Sequence, residues 1–188
     1  MRKIKGIILD RDGVINDLII RDSNRRTAPW SVQEFTVREN VVLAIDILRS
    51  QGFKIFVATN QPDVASGNIS EAVLGDIHNK MKSLIPEIEG IYVCPHLNLT
   101  NCSCRKPRDG LIRKIFREHG LTLSKSWMIG DRWVDIAAAN TFNLRSVLLS
   151  NEESWKPNSS GKAGPEVQPT FEVADILSAV ELIVKEST

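Results

Sequence analysis

Short hydrophobic runs alternate along this chain with amphipathic segments. Runs rich in Ile and Val predict five strands, at residues 4–9, 54–59, 90–94, 126–129 and 146–149. Apolar residues at helical spacing predict four helices, at residues 41–51, 70–84, 110–119 and 133–142, and a final amphipathic helix over 173–183. Strands that alternate with helices indicate βαβ units, so the sequence predicts an α/β fold with a central parallel sheet between helical layers.

Two segments interrupt this alternation. Residues 16–36 are too polar for a core strand and longer than an ordinary loop between a strand and a helix, and they include Arg21, Arg25 and Arg26. We predict that they form a flap beside the end of the first strand. Residues 152–169 are rich in Ser, Pro and Gly and predict an exposed loop. With 188 residues, the chain is expected to form one domain over 1–188.

The overall charge excludes some partners. The chain carries 24 basic and 23 acidic side chains, a net charge of +1, so no global field attracts nucleic acid or an anionic membrane. Any anion site must therefore be local. No apolar run resembles a signal peptide or a membrane span. We expect a cytoplasmic monomer that acts on a small molecule, without nucleic-acid or membrane partners.

Polar side chains follow three of the predicted strands. Asp10 and Asp12 follow the first, the Thr59-Asn60-Gln61 segment follows the second, and Asp131 lies just beyond the fourth. The carboxyl ends of parallel strands meet at one edge of a sheet, where ligands bind, so these groups should converge. Carboxylates, a hydroxyl, an amide and a lysine form the set that Mg²⁺-assisted phosphoryl transfer through an aspartyl intermediate requires.

Four ordered motifs carry a resemblance to a known family. They are Asp10-x-Asp12-Gly13, Thr59-Asn60, Lys106-Pro107 and Gly130-Asp131-x-x-x-Asp135. In this order they resemble the motifs of the haloacid dehalogenase (HAD) superfamily phosphatases, and they cover about two thirds of the chain. The resemblance implies a three-layer, Rossmann-like HAD core and the activity of a phosphoric monoester hydrolase.

The same resemblance implies roles for individual residues. Asp10 would be the nucleophile and Asp12 the general acid and base. Mg²⁺ would be held by Asp10, by the backbone carbonyl of Asp12 and by Asp131. Thr59 would bind phosphoryl oxygens and Lys106 would neutralise the developing charge.

Further polar residues are predicted to bind the substrate or have more than one possible role. Asn60 and Gln61 would bind the substrate, together with the cationic residues Arg105 and Arg132. Asp135 either orients Asp131 or Lys106, or simply caps a helix. His78, a lone histidine on a predicted helix, is expected to pack or to face solvent.

The three cysteines of the chain lie close together beside a histidine. Cys94, His96, Cys102 and Cys104 form two closely spaced pairs that suit tetrahedral Zn²⁺. The alternative is a set of reduced surface thiols with a loop histidine. A four-ligand set leaves no position for water, so this zinc loop, residues 94–104, would be structural and would fix the backbone just before Lys106.

The zinc loop narrows the resemblance to one subgroup. Its Cys-x-Cys-Arg-Lys-Pro segment resembles the HAD phosphatases that act on D-glycero-D-manno-heptose 1,7-bisphosphate or on histidinol phosphate, which lack a large cap domain. Residues 59–67 resemble the heptose group, although Ser66 replaces an arginine, and Asp109-Gly110 is also closer to that group. The five residues between His96 and Cys102 are typical of the histidinol-phosphate group.

A sugar bisphosphate such as the heptose 1,7-bisphosphate is therefore the expected substrate, and histidinol phosphate is the alternative. The flap arginines would bind a second phosphate or form a solvated face. A nucleic-acid end phosphatase and a non-catalytic, zinc-stabilised binding protein are the remaining alternatives.

Overall fold

The computed structural model describes residues 3–150 and 167–187. Its strands are β1 (Lys5–Leu9), β2 (Ile19–Ile20), β3 (Arg26–Thr27), β4 (Phe53–Asn60), β5 (Ile88–Cys94), β6 (Trp127–Gly130), β7 (Arg145–Leu149) and β8 (Phe171–Val173). Its α-helices are α1 (Val41–Ser50), α2 (Pro62–Ala65), α3 (Glu71–Leu84), α4 (Gly110–His119), α5 (Trp133–Thr141) and α6 (Ile176–Lys185).

The main sheet is parallel throughout and has the strand order β5-β4-β1-β6-β7-β8. Alternate residues of β1 face opposite layers, as the period of a strand requires. Ile7 and Leu9 pack with α1, α3 and α6, whereas Ile8 packs with α4 and α5. The predicted three-layer α/β fold is thus confirmed, and β1 lies in the middle of the sheet.

The predicted elements agree closely with the structure. All five predicted strands and the first four helices are present, with ends that differ by at most two residues. The last helix begins at Ile176, so the prediction was wrong at Val173, which belongs to the edge strand β8. That strand is only three residues long and carries Glu172 at its centre, which leaves almost no hydrophobic pattern to read.

The segment predicted as a flap contains a small antiparallel hairpin. Strands β2 and β3 pair there, with Ile19 opposite Thr27. The base of the segment is held by Lys80 of α3, whose ammonium donates to the carbonyls of Val32 and Phe35, both at 2.8 Å. Most of the predicted exposed loop, residues 152–166, lies outside the described residues. Of the helices in the described ranges, none has both the length and the apolar character needed to cross a membrane.

Candidate active site

The polar strand ends converge at one edge of the sheet. Asp10 follows β1 directly, and because β1 lies between β4 and β6, the end of each neighbour lies beside it. Lys106 comes to the same place from the loop before α4. Its ammonium lies 2.8 Å from Asp10 Oδ1, 2.5 Å from Asp135 Oδ1 and 2.7 Å from the carbonyl of Ala58. Three acceptors thus surround a charge that is almost completely buried.

Three buried carboxylates form what we call the acid cluster: Asp10, Asp131 and Asp135. Each offers an oxygen within 4.8 Å of the others. Burial and the charge of Asp135 raise the pKa of Asp10 to about 6, although Lys106 opposes the shift. Burial and the charge of Asp10 raise the pKa of Asp131 well above its usual value. The negative charge that the three carboxylates can carry therefore exceeds the positive charge of Lys106.

The arrangement fits a hard divalent cation. Among the described residues, neither carboxylate oxygen of buried Asp131 accepts a hydrogen bond, which is costly unless a cation or water satisfies them. Oxygen ligands are the ones that Mg²⁺ prefers. Gly13 makes room for this carboxylate, because a Cβ on Gly13, whose φ is +89°, would collide with Asp131 Oδ2.

Asp135 performs both of the tasks that the sequence left open. Its Oδ2 accepts a hydrogen bond of 3.1 Å from the backbone N–H of Arg132 at the start of α5. Its Oδ1 pairs with the ammonium of Lys106. One buried carboxylate thus caps the helix and holds the lysine.

The carboxylate of Asp12 is surrounded by donors. Arg11 reaches it through Nε at 3.1 Å and through Nη2 at 2.9 and 3.1 Å. The side-chain amides of Asn16, at 3.1 Å, and Gln61, at 2.6 Å, also donate to it. These contacts fix the position of the predicted acid and base.

Gln61 and Asn60 make contacts that the sequence did not predict. The Gln61 side chain is fully buried, and its Nε2 donates both to Asp12 and to Thr59 Oγ1, at 2.8 Å. Its amide thus orients two site residues, and its burial does not support the predicted substrate contact. The amide of Asn60 pairs with the backbone of Lys106, accepting from N–H at 3.1 Å and donating to C=O at 3.0 Å.

The predicted cationic substrate ligands are mostly engaged within the protein. Arg105 donates to Asn98 at 2.6 Å and to the carbonyl of His96 at 3.0 Å, and both acceptors lie in the zinc loop. In the flap, Arg21 makes a bidentate ion pair with Glu34, with both contacts at 2.6 Å. Substrate binding by Arg105 and Arg132 stays a prediction.

The contacts of two residues near Asp12 were not predicted from the sequence. Arg11 is fully buried, and its Nη1 lies 3.1 Å from Nε2 of His78. Burial and the charge of Arg11 lower the pKa of His78 to about 4. A signal was present, because His78 follows Leu74 by four positions and precedes Met81 by three, which places it near the buried face of α3.

The predicted zinc ligands also converge, in what we call the cysteine cluster. Nδ1 of His96 lies 3.5 Å from Cys94 Sγ and 3.3 Å from Cys104 Sγ, and the sulfurs of Cys94 and Cys102 are 3.7 Å apart. Thiolates bound tetrahedrally to zinc at about 2.3 Å lie about 3.8 Å from one another. The four groups therefore have the spacing and chemistry of a closed zinc site.

The cysteine cluster adjoins the acid cluster through a single backbone segment. Cys104 is followed directly by Arg105 and Lys106. A Cβ on Gly110, at the start of α4, would collide with the carbonyl of Ser103, so the loop and the helix are packed tightly together. The position of the lysine consequently depends on the conformation of the zinc loop.

Comparisons with known proteins agree with this geometry. A family model described as HAD-hydrolase-like matches residues 103–180. The chain is 33% identical over 190 residues to a D-glycero-beta-D-manno-heptose-1,7-bisphosphate 7-phosphatase of Neisseria meningitidis serogroup B, covering 98% of this chain and 97% of the relative. It is 34% identical to the enzyme of that name from Pseudomonas aeruginosa, covering 93% and 96% of the two chains.

A solved structure extends the similarity to three dimensions. The D,D-heptose 1,7-bisphosphate phosphatase of Bordetella bronchiseptica, complexed with magnesium and phosphate, superimposes with a TM-score of 0.81 at 30% identity. The match covers 97% of this chain and 99% of that one. A HAD-like phosphatase from Mesorhizobium loti, at 22% identity and a TM-score of 0.73, shares the fold.

Proposed function

The chain belongs to the HAD-like hydrolase family, and on that premise we propose that it is a Mg²⁺-dependent phosphatase of a heptose bisphosphate. The observation that carries the proposal is the acid cluster, in which Lys106 pairs with two of the three buried carboxylates and the third, Asp131, accepts no hydrogen bond from the described residues. The names of the full-length relatives support the choice of substrate.

One oxygen of Asp10 is placed to act as the nucleophile. Oδ1 accepts hydrogen bonds of 2.8 Å from the backbone N–H of Arg11 and from Lys106, which leaves Oδ2 for the phosphorus. Asp10, Asp131 and the backbone carbonyl of Asp12 would hold Mg²⁺, which supplies the positive charge that lets a carboxylate approach a phosphate dianion.

The chemical steps then follow from the neighbouring groups. Oδ2 of Asp10 bonds to phosphorus, the bond from phosphorus to the sugar oxygen breaks, and that oxygen takes the proton of Asp12. In the second half, the Asp12 carboxylate removes a proton from water while the water oxygen attacks phosphorus and releases Asp10. Thr59 and Lys106 would stabilise the charge on the transferred group.

The cysteine cluster would serve this chemistry indirectly. Cys94, His96, Cys102 and Cys104 would hold one structural Zn²⁺. Because Lys106 follows the last ligand by two residues, the ion would preorganise the lysine against Asp10. Because the four residues would fill every position of a tetrahedral ion, that zinc would take no part in bond breaking.

The decisive experiment compares two Asp→Asn variants of the purified protein. Phosphate release with Mg²⁺ is measured on heptose 1,7-bisphosphate, on other sugar phosphates and on histidinol phosphate, which the short spacing between His96 and Cys102 favours as the second candidate. Asp10→Asn should reduce kcat at least about 10³-fold. Asp46→Asn, which makes the same change on the exposed face of α1, should not. Equal activity of the wild type and Asp10→Asn on every substrate would refute the proposal.

A further inference from the structure

Behind Asp12 lies a chain of contacts that the proposed reaction does not explain. The guanidinium of Arg11 is completely buried and presents two edges. Nε and Nη2 hold the Asp12 carboxylate, while Nη1 meets Nε2 of His78 at 3.1 Å. A completely buried guanidinium needs acceptors for the donors on both of its edges, and His78 supplies the acceptor for Nη1.

The direction of this hydrogen bond follows from its chemistry. A guanidinium can only donate, so Nε2 of His78 accepts and the ring proton lies on Nδ1. The imidazole is therefore neutral when it meets Arg11. That protonation state agrees with the lowered pKa of His78.

The contact determines how the guanidinium is oriented. A planar fork that binds a carboxylate on one edge can still tilt about that edge, and a fixed acceptor on Nη1 removes this freedom. His78 lies on α3 between Ile77 and Met81, two side chains that are buried in the core, so the acceptor is held rigidly.

We propose that His78 is a positioning residue for the general acid and base: it accepts from Arg11, and Arg11 in turn holds the carboxylate of Asp12 in the orientation that reaches the leaving oxygen. The inference rests on the proposed function, in which Asp12 protonates that oxygen. His78 would act through Arg11 and not by direct contact with the substrate.

The loss of activity caused by removing this contact should depend on the leaving group of the substrate. A sugar oxygen leaves as a strongly basic alkoxide and needs the proton of Asp12, whereas p-nitrophenolate leaves readily without one. Misplacing Asp12 should therefore lower kcat/KM, which includes only the steps up to release of the leaving group, much more for sugar phosphates than for p-nitrophenyl phosphate. A general loss of structure, of Mg²⁺ or of the nucleophile would harm both.

The test measures kcat/KM of the protein with Mg²⁺ on two substrates, the sugar phosphate heptose 1,7-bisphosphate and p-nitrophenyl phosphate. His78→Phe keeps a ring of similar size but offers no acceptor, and His78→Gln restores an acceptor. We expect His78→Phe to lose about tenfold to a hundredfold in kcat/KM on the sugar phosphate and less than about threefold on p-nitrophenyl phosphate. His78→Gln should recover most of the loss.

Controls separate this inference from the proposed function. Asp12→Asn should show the same selectivity more strongly, and His119→Phe, on α4, should show none. Wild-type protein without activity on either substrate would refute the proposed function itself. With an active wild type, equal losses on both substrates, no loss, or a Gln variant no better than Phe would refute the role of His78. If His78→Phe does not fold, His78→Leu, which also lacks an acceptor, takes its place and is judged by the same criteria.

Discussion

The acid cluster and the cysteine cluster both gather potential metal ligands, but their surroundings differ. The acid cluster is buried, has oxygen ligands only, and relies on Lys106 for most of its positive charge. The cysteine cluster is partly exposed, has a complete set of four soft ligands, and is braced by hydrogen bonds from Arg105 and Arg108 to loop carbonyls. The first is suited to a cation that exchanges and keeps positions open for phosphate, and the second to an ion that stays.

The two clusters also differ in their proposed roles, which are catalysis for the acid cluster and preorganisation of Lys106 for the cysteine cluster. Repulsion among the three carboxylates is relieved by a proton, which raises the pKa of Asp10, or by a cation. The acid cluster therefore favours Mg²⁺, which in turn offsets the charge of a phosphoryl group. The zinc site proposed for the cysteine cluster would bind neither of those groups. It would act on the reaction through Arg105, the one residue between Cys104 and Lys106.

Replacing the shared lysine should have the largest effect. Lys106→Met keeps the length of the side chain but removes the charge beside Asp10 and Asp135, and we expect kcat to fall about 10³-fold. Zinc content should be unchanged. Lys114→Met, on the outer side of α4, is the matched control. Loss of zinc from Lys106→Met, or activity near that of the wild type, would show that the two clusters do not have these separate roles.

The stability of the Mg²⁺-free protein should depend on pH through Asp10. Its pKa is 3.8 in an ordinary environment and about 6 in the fold, so the folded protein binds this proton more tightly than the unfolded chain does. Stability is therefore lost as pH rises from about 4 to about 6, by about 3 kcal/mol.

Urea unfolding without Mg²⁺ measures this loss by comparing the wild type with Asp10→Asn. The variant should become the more stable protein above pH 6, because Asn resembles the protonated acid. Saturating Mg²⁺ should reduce or reverse the difference, since Asp10 would then hold the ion. A difference that does not change with pH would show that Asp10 is not electrostatically strained.

Disturbing the zinc loop should have the smallest effect on catalysis. Cys104→Ser should lower the zinc bound per protein and the melting temperature, and reduce kcat about tenfold, because Lys106 loses its support but not its charge. Ser103→Ala, between two ligands, should change none of these. Metal analysis, thermal unfolding and phosphate release provide the three readouts. A full loss of activity with normal zinc content would mean that Cys104 takes a direct part in the reaction.

The sequence predicted those parts of the site that depend on local patterns. The hydrophobic run of β1 stops at Asp10, and topology alone brings it to Asp131 and Thr59. The cysteine cluster follows from spacing within one loop. These features require only that neighbouring parallel strands end at one edge of the sheet.

What the sequence did not predict depends on which side chains meet after folding. The burial of Gln61 between Asp12 and Thr59 cannot be read from a strand end, because its neighbours along the chain do not indicate which way the amide turns. The bidentate pairing of Arg21 with Glu34 follows from the shape of the flap. His78 showed a helical position near the core, but its partner Arg11 is 67 positions away.

If Asp10 carries the phosphoryl group during the reaction, chemical trapping should locate that group on this residue. Wild-type protein with Mg²⁺ and substrate is quenched in acid and reduced with borohydride, which converts an aspartyl phosphate into homoserine. Peptide mass spectrometry should find homoserine at position 10 in this sample. Control samples that lack Mg²⁺ or substrate should contain none. Phosphate on another residue, or active enzyme that never forms homoserine at position 10 under single-turnover quenching, would show that Asp10 is not the nucleophile.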